Sequence, residues 1–305
     1  MRGRFAPSPT GALHLGNLRT ALIGWLQCRC AGGEWLVRME DLDRVTSSAA
    51  HETDQLEALA VLGMRPDGEV VRQSERFALY DDAIAALRWQ GRVYECFCTR
   101  REIREAASAP HDADPAVPEG AYPGTCRTLT TAQREAWKAQ GRPPALRLLS
   151  DGERFRIHDL VAGNYEGGVD DVVLQRNDGV PAYNLAVVVD DALQGVTHVT
   201  RGDDLLSSTP RQRFLQVLLG LPQPVYAHVP LVLAPDGSRL AKRHGAVTLA
   251  DLAARGIDAP QVLARLGESL GMCDRDEDVT AAELVPRFDL AAIPRVAWSL
   301  SEAEL

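Results

Sequence analysis

The sequence contains no apolar run long enough to cross a bilayer. It opens Met1-Arg2-Gly3-Arg4 straight into a structured motif, which leaves no room for a signal peptide and predicts a cytoplasmic protein. Positive charge is also short: 33 Lys and Arg stand against 42 Asp and Glu, for a net charge of -9. Indiscriminate nucleic-acid binding favours a basic surface, so that class is disfavoured, although one local basic patch can still hold an RNA. Only six cysteines occur (Cys28, Cys30, Cys96, Cys98, Cys126, Cys273), and in a cytoplasmic chain they are not expected to pair as disulfides. Cys28 and Cys30 fall near the end of an amphipathic helix and read as packing residues, while Cys273 has no partner pattern. Internal repeats and low-complexity tails are missing as well.

What is present is a soluble composition, 45% hydrophobic and 25% charged, in a chain long enough for one large domain with an insertion or for two domains. Trp35–Glu40 reads as a buried strand ending in a carboxylate, followed by the polar loop Asp41–Arg44. Ser47 or Ser48 caps a helix running to about Leu62, and a second helix covers Arg76–Gln90 and ends at Gly91. Residues 96–126 lose this periodicity, which marks an insertion. Two alternating runs, Leu146–Leu149 and Phe155–Ile157, are expected to form a hairpin through Asp151-Gly152. Asp171–Gln175 and Val196–Thr200 read as strands, with Tyr183–Asp191 preceding the second. A long helix is expected over Ser208–Gly220, then helices up to Arg255, over Pro260–Leu270 and over Ala281–Arg287. Strand–helix alternation interrupted once predicts an α/β fold, a doubly wound parallel sheet of Rossmann type with an inserted module and a small helical C-terminal subdomain.

Three segments carry chemistry. Arg4–Asn17 runs from an apolar start through a Pro/Gly turn into His14-Leu15-Gly16-Asn17 and the helix-like Leu18–Arg29. A helix start offers unpaired N–H groups and a positive dipole, which suits a nucleotide phosphate. Gly11 and Gly16 let backbone approach a ligand closely, and Pro7 and Pro9 stiffen the approach. The second segment, Ser238–Gly245, is as a bare pattern a cationic loop with a glycine. In the third, Cys96-Phe97-Cys98 and Cys126 supply three thiols. Structural zinc takes four ligands, leaving Tyr122 or His111 as the nearby fourth, with simple reduced cysteines as the alternative reading.

The string Arg4–Asn17 resembles the first signature of class I aminoacyl-tRNA synthetases in its glutamate-specific form. The resemblance extends to Val37–Asp43, Arg72–Arg76, Cys96–Cys126, Asp171–Asp191, Arg201–Asp204 and Arg239–His244. It implies that His14, Asn17 and Lys242 are catalytic, that His14, Gly16, Asn17 and Lys242 bind ATP (with Mg), and that Lys242 stabilises charge developing on the phosphates. It also implies a glutamate pocket in which Arg4, Ala6 and Ser8 line the first turn. Glu40 takes the ammonium, Tyr183 offers its hydroxyl and Arg201 supplies a second cation. Two positions depart from the pattern: Ala241 where a serine is usual, and Val187 where an asparagine is frequent.

The cysteine spacing is similar to the zinc site of the glutamyl-queuosine tRNA(Asp) synthetases, which implies one structural zinc on Cys96, Cys98, Tyr122 and Cys126. The expected organisation is then 1–95 and 170–245 as the two halves of the catalytic domain, 96–169 as an inserted acceptor-binding-like module, and 246–305 as the helical subdomain. About 60 residues follow His244, too few for the usual anticodon-binding domain. The resemblance to that shortened form implies a ligase with L-glutamate, ATP and queuosine-bearing tRNA(Asp) as partners, and a monomer is expected. Activation would give glutamyl-adenylate, and the acceptor would be the queuosine base. The alternative is a minimal glutamyl-tRNA synthetase charging a 3′ end. A non-catalytic binding module, or a small-cofactor nucleotidyltransferase, has no evident need for the set Glu40, Tyr183 and Arg201.

Overall fold

Alternation of short β-branched runs with amphipathic stretches gives a parallel sheet covered by helices. A computed structural model describes residues 1–107, 121–240 and 247–301, and the side chains of 104–107 are not among the described ones. Ala241, Lys242 and His111 lie outside the described residues. The chain opens with β1 (Arg2–Phe5), α1 (Leu15–Cys30), β2 (Glu34–Met39), α2 (Ala49–Val61), β3 (Val71–Arg72), α3 (Phe77–Trp89) and β4 (Val93–Cys96). Next come α4 (Arg100–Ala107), α5 (Thr131–Ala139), β5 (Ala145–Leu148), β6 (Arg154–Asp159), β7 (Gly163–Gly168), β8 (Val173–Gln175), α6 (Tyr183–Leu193) and β9 (His198–Gly202). It continues through α7 (Thr209–Leu219), β10 (Val225–Val229), β11 (Val232–Leu233), α8 (Leu249–Ala254), α9 (Ala259–Glu268), α10 (Ala281–Leu284) and β12 (Trp298–Ser299).

The main sheet has seven strands in the order β3-β2-β1-β9-β10-β6-β7. All neighbours are parallel except the pair β6–β7. A separate sheet, β4-β5-β8, is antiparallel. The expected Rossmann-type fold is therefore present, with one local correction. The hairpin through Asp151-Gly152 does not form, because β5 pairs with β4 and β8 while β6 pairs with β7. Asp151-Gly152 is a turn, with Gly152 at φ +81°, but it carries the chain from one sheet to the other. Consequently β6 and β7, inside the segment read as an insertion, complete the main sheet. Tyr183–Leu193, which carried no assignment, is a helix.

Two packing features hold the site's frame. Phe5 and Trp35 stack across β1 and β2 with ring centroids 6.1 Å apart. The C-terminal helices share one apolar core with α1, through Leu18, Leu22, Leu263, Leu266 and Leu284. Buried Arg19 of α1 ties the same regions together, donating to the Pro230 carbonyl at 2.9 Å and to Ser269 Oγ at 3.0 Å. Burial pulls its pKa down to about 10.

Candidate active site

The C-terminal ends of β1, β2 and β9 and the N-terminus of α1 surround a cleft of about 610 Å³. Arg4, Ala6, Ser8, His14, Gly16, Asn17, Glu40, Tyr183 and Arg201 all line it. Every expected glutamate and nucleotide residue that lies within the described chain therefore reaches one space.

His14 is the N-cap of α1. Its Nδ1 accepts the backbone N–H groups of Gly16 at 3.1 Å and Asn17 at 3.3 Å, and Asn17 Oδ1 accepts the His14 N–H at 3.2 Å. This reciprocal cap fixes the ring. With Nδ1 as an acceptor, the neutral imidazole carries its proton on Nε2, where it can be donated to an anion. Burial lowers the His14 pKa, which favours that neutral form. A Cβ at position 16 would stand 2.9 Å from His14 Cε1, so the ring's position requires glycine there.

The first cation, Arg4, is 5% exposed and donates through Nε to Asp191 Oδ1 at 3.3 Å. Arg38, fully buried, donates to the same oxygen at 2.7 Å and approaches Glu40 Oε1 at 3.4 Å and Asp190 Oδ2 at 3.7 Å. Burial raises the Glu40 pKa against the opposing pull of Arg38 and Arg4. A substrate ammonium beside Glu40 would pull its pKa back down. Arg38, Asp190 and Asp191 escaped the sequence reading. The usable signal was two adjacent carboxylates at the end of the apolar run Leu185–Val189. Arg201, the second cation, donates to Tyr183 Oη at 3.5 Å, His228 Nε2 at 3.0 Å and Thr209 Oγ1 at 3.1 Å.

In the insertion, the sulfurs of Cys96, Cys98 and Cys126 lie within 4.8 Å of one another, with Cys98 and Cys126 at 3.4 Å. Tyr122 Oη lies 3.3 Å from Cys96 Sγ and 3.5 Å from Cys98 Sγ, and it accepts the Cys126 N–H at 2.9 Å. A tetrahedral zinc with Zn–S bonds of about 2.3 Å spaces its sulfurs about 3.8 Å apart, so this donor set fits the ion. Cys126 is held below its ordinary thiol pKa, first by the hydrogen bond from Cys96.

A model of the class I tRNA synthetase (E and Q) catalytic domain matches residues 1–305. The chain is 57% identical over 300 residues to a glutamyl-Q tRNA(Asp) synthetase of Nocardia farcinica, covering 98% of this chain and 93% of that one. The same-named protein of Symbiobacterium thermophilum is 50% identical over 305 residues, with 96% and 94% covered. A crystal structure of a glutamate tRNA ligase from Elizabethkingia meningosepticum, in complex with its amino acid, matches with a TM-score of 0.82 at 27% identity, covering 100% of this chain and 68% of that one.

Proposed function

Because the chain belongs to the class I tRNA synthetases of the E and Q type, we propose that it activates L-glutamate with ATP and transfers it to the queuosine base in the anticodon loop of tRNA(Asp). In the first step a carboxylate oxygen of glutamate attacks the α-phosphorus of ATP. The bond to pyrophosphate breaks and glutamyl-adenylate forms. In the second a nucleophilic group of the base attacks the acyl carbon and AMP leaves.

The residues divide this work by charge. The N-terminus of α1 and the His14 Nε2–H receive phosphate oxygens, with Gly16 and Asn17 beside them. Lys242, and Mg bound with ATP, offset the charge that builds up on the leaving pyrophosphate. Arg4 and Arg201 supply cations for the two substrate carboxylates, Glu40 takes the ammonium and Tyr183 donates its hydroxyl. The observation that carries the reading is the meeting of Glu40, Arg201 and the His14 end of α1 in one cleft. One zinc on Cys96, Cys98, Cys126 and Tyr122 would fix the fold of the insertion. Support for the RNA target comes from relatives of nearly the same span that are named glutamyl-Q tRNA(Asp) synthetases.

Glutamate-dependent pyrophosphate exchange without tRNA tests the first step, and equal exchange with aspartate or glutamine overturns it. For the second step, the 3′-terminal adenosine of tRNA(Asp) is removed enzymatically, because periodate would also cleave the vicinal diol of the queuosine base. Glutamate is expected to attach all the same. Charging of intact tRNA(Glu), with no glutamate on the treated tRNA(Asp), would assign the chain to 3′-end aminoacylation instead.

A further inference from the structure

Arg201, His228 and Asp159 stand side by side on three neighbouring parallel strands, β9, β10 and β6. Arg201 is directly opposite His228 in the β9–β10 register, and Asp159 is opposite Tyr226, two residues before His228. Their exposures are 5%, 1% and 2%. A cation so deeply placed needs its charge met. Arg4 and Arg38 each have a carboxylate within ion-pair distance, but among the described residues Arg201 has none. Its partners are an imidazole, a threonine hydroxyl and a phenol.

A carboxylate stands on the far side of the imidazole, on β6. Asp159 Oδ2 is 2.6 Å from His228 Nδ1. The Asp159 oxygens also accept the backbone N–H groups of His228 at 3.0 and 3.1 Å, Val161 at 2.9 Å and Ala162 at 2.8 Å. A carboxyl that only accepts is ionised, so the proton between it and the ring sits on Nδ1. The neutral ring then has its lone pair on Nε2, which is what the Arg201 Nε–H requires. Burial lowers the His228 pKa and favours this neutral state.

We propose that Asp159 and His228 are positioning residues for amino-acid recognition. Asp159 fixes the Nδ1–H tautomer of His228, and the Nε2 lone pair orients the Arg201 guanidinium without neutralising it. A carboxylate bonded directly to Nε, as Asp191 is to Arg4, would orient the group as well but would offset part of its charge. The imidazole separates the two effects, and the remaining Nη hydrogens and the net charge are left for a substrate carboxylate. This rests on the reading of Arg201 as a glutamate-binding residue.

The wild-type protein is first assayed for glutamate-dependent pyrophosphate exchange. No exchange overturns the activation reading itself, whereas the positioning role is judged on protein that exchanges. Asp159→Asn keeps the shape but offers an amide donor to Nδ1, which reverses the tautomer and sets Nε2–H against the Arg201 Nε–H. It is expected to raise KM for glutamate at least about tenfold, with KM for ATP changed less than about twofold. His228→Asn retains a donor towards Asp159 but reaches no atom of Arg201, while His228→Gln can place an amide oxygen there. The glutamine variant is therefore expected to recover part of the loss in glutamate KM. Nitrogen-15 spectra of the wild-type imidazoles at neutral pH, with the His228 signal assigned by its loss in either variant, need no substitution at Asp159 to fold. The neutral Nδ1–H form is expected. An Nε2–H or doubly protonated His228 overturns the proposal. So does a glutamate KM that is unchanged or rises in parallel with that for ATP, or a glutamine variant no better than the asparagine one.

Discussion

Asp191 shows how a charge without a substrate contact supports the cleft. Burial alone would raise its pKa, but the guanidinium groups of Arg4 and Arg38 outweigh that and hold it below the ordinary carboxylate value. A folded-state pKa lower than the unfolded one gives stability that is complete above the unfolded value, near about 3.9, and is lost as pH falls through the folded value. Asp191→Asn leaves two buried cations short of a partner and is expected to cost about 3 kcal/mol at neutral pH. Urea denaturation at neutral and strongly acidic pH should find that gap wide at the first and narrowed at the second. A gap independent of pH would mean that the carboxylate is not acting as an ion. Lys242 makes a kinetic case at the same scale. A point charge that meets the phosphates as negative charge develops contributes to the rate more than to binding. Lys242→Ala is therefore expected to reduce kcat for pyrophosphate exchange by about 100-fold or more while KM for ATP shifts little. Wild-type exchange in that variant would remove Lys242 from the reaction.

Among the elements, the insertion with the three-cysteine cluster is the least able to fold by burial. Its core is a small group around Tyr94, Cys96, Tyr122 and Cys126, and the exposed α5 contributes no buried residue. If zinc binds there as proposed, its binding energy is folding energy for the segment. Metal analysis should find close to one zinc per chain, and Cys98→Ser should lower that content and make the segment more susceptible to protease, with the main sheet left intact. Retention of full zinc would take Cys98 out of the ligand set. This segment also shows what the sequence makes legible. Short spacings carry over well: the turn and helix start at Arg4–Asn17, the thiols of Cys96 and Cys98, and the helix capped by Ser48 all appear where local pattern puts them. Long-range pairing does not. Gly152 marks a real turn, yet Leu148 pairs with Val93 and Arg154 with Gly168, because backbone partners are chosen by the packing of whole sheets. The bond from Arg38 to Asp191 spans 153 residues, and His228 stands in a strand whose spacing says only that it is buried. Such pairs have no local period to read.

At the scale of the whole molecule, the question is how a chain with a net charge of -9 holds an RNA. Affinity from phosphate contacts needs many cations, and each contact releases counterions and steepens the dependence on salt. Several arginines are already paired with the protein's own carboxylates: Arg4, Arg38 and Arg76 with Asp190 and Asp191, Arg127 with Asp171, and Arg211 with Asp170. If the acceptor is a base in the anticodon loop, the protein has only to receive a short stem-loop, with that base unstacked and turned into the cleft. An isolated queuosine-bearing anticodon stem-loop of tRNA(Asp) is therefore expected to accept glutamate, while an acceptor-stem minihelix is not. Its KM should also depend only weakly on salt, with a log–log slope below about 4, the mark of few phosphate contacts. A steep slope, or activity on the minihelix alone, would mean that the RNA backbone and the 3′ end are what the protein grips. The deep arginines would then be incidental to its choice of RNA, because the binding would have to come from surface cations spread along the tRNA.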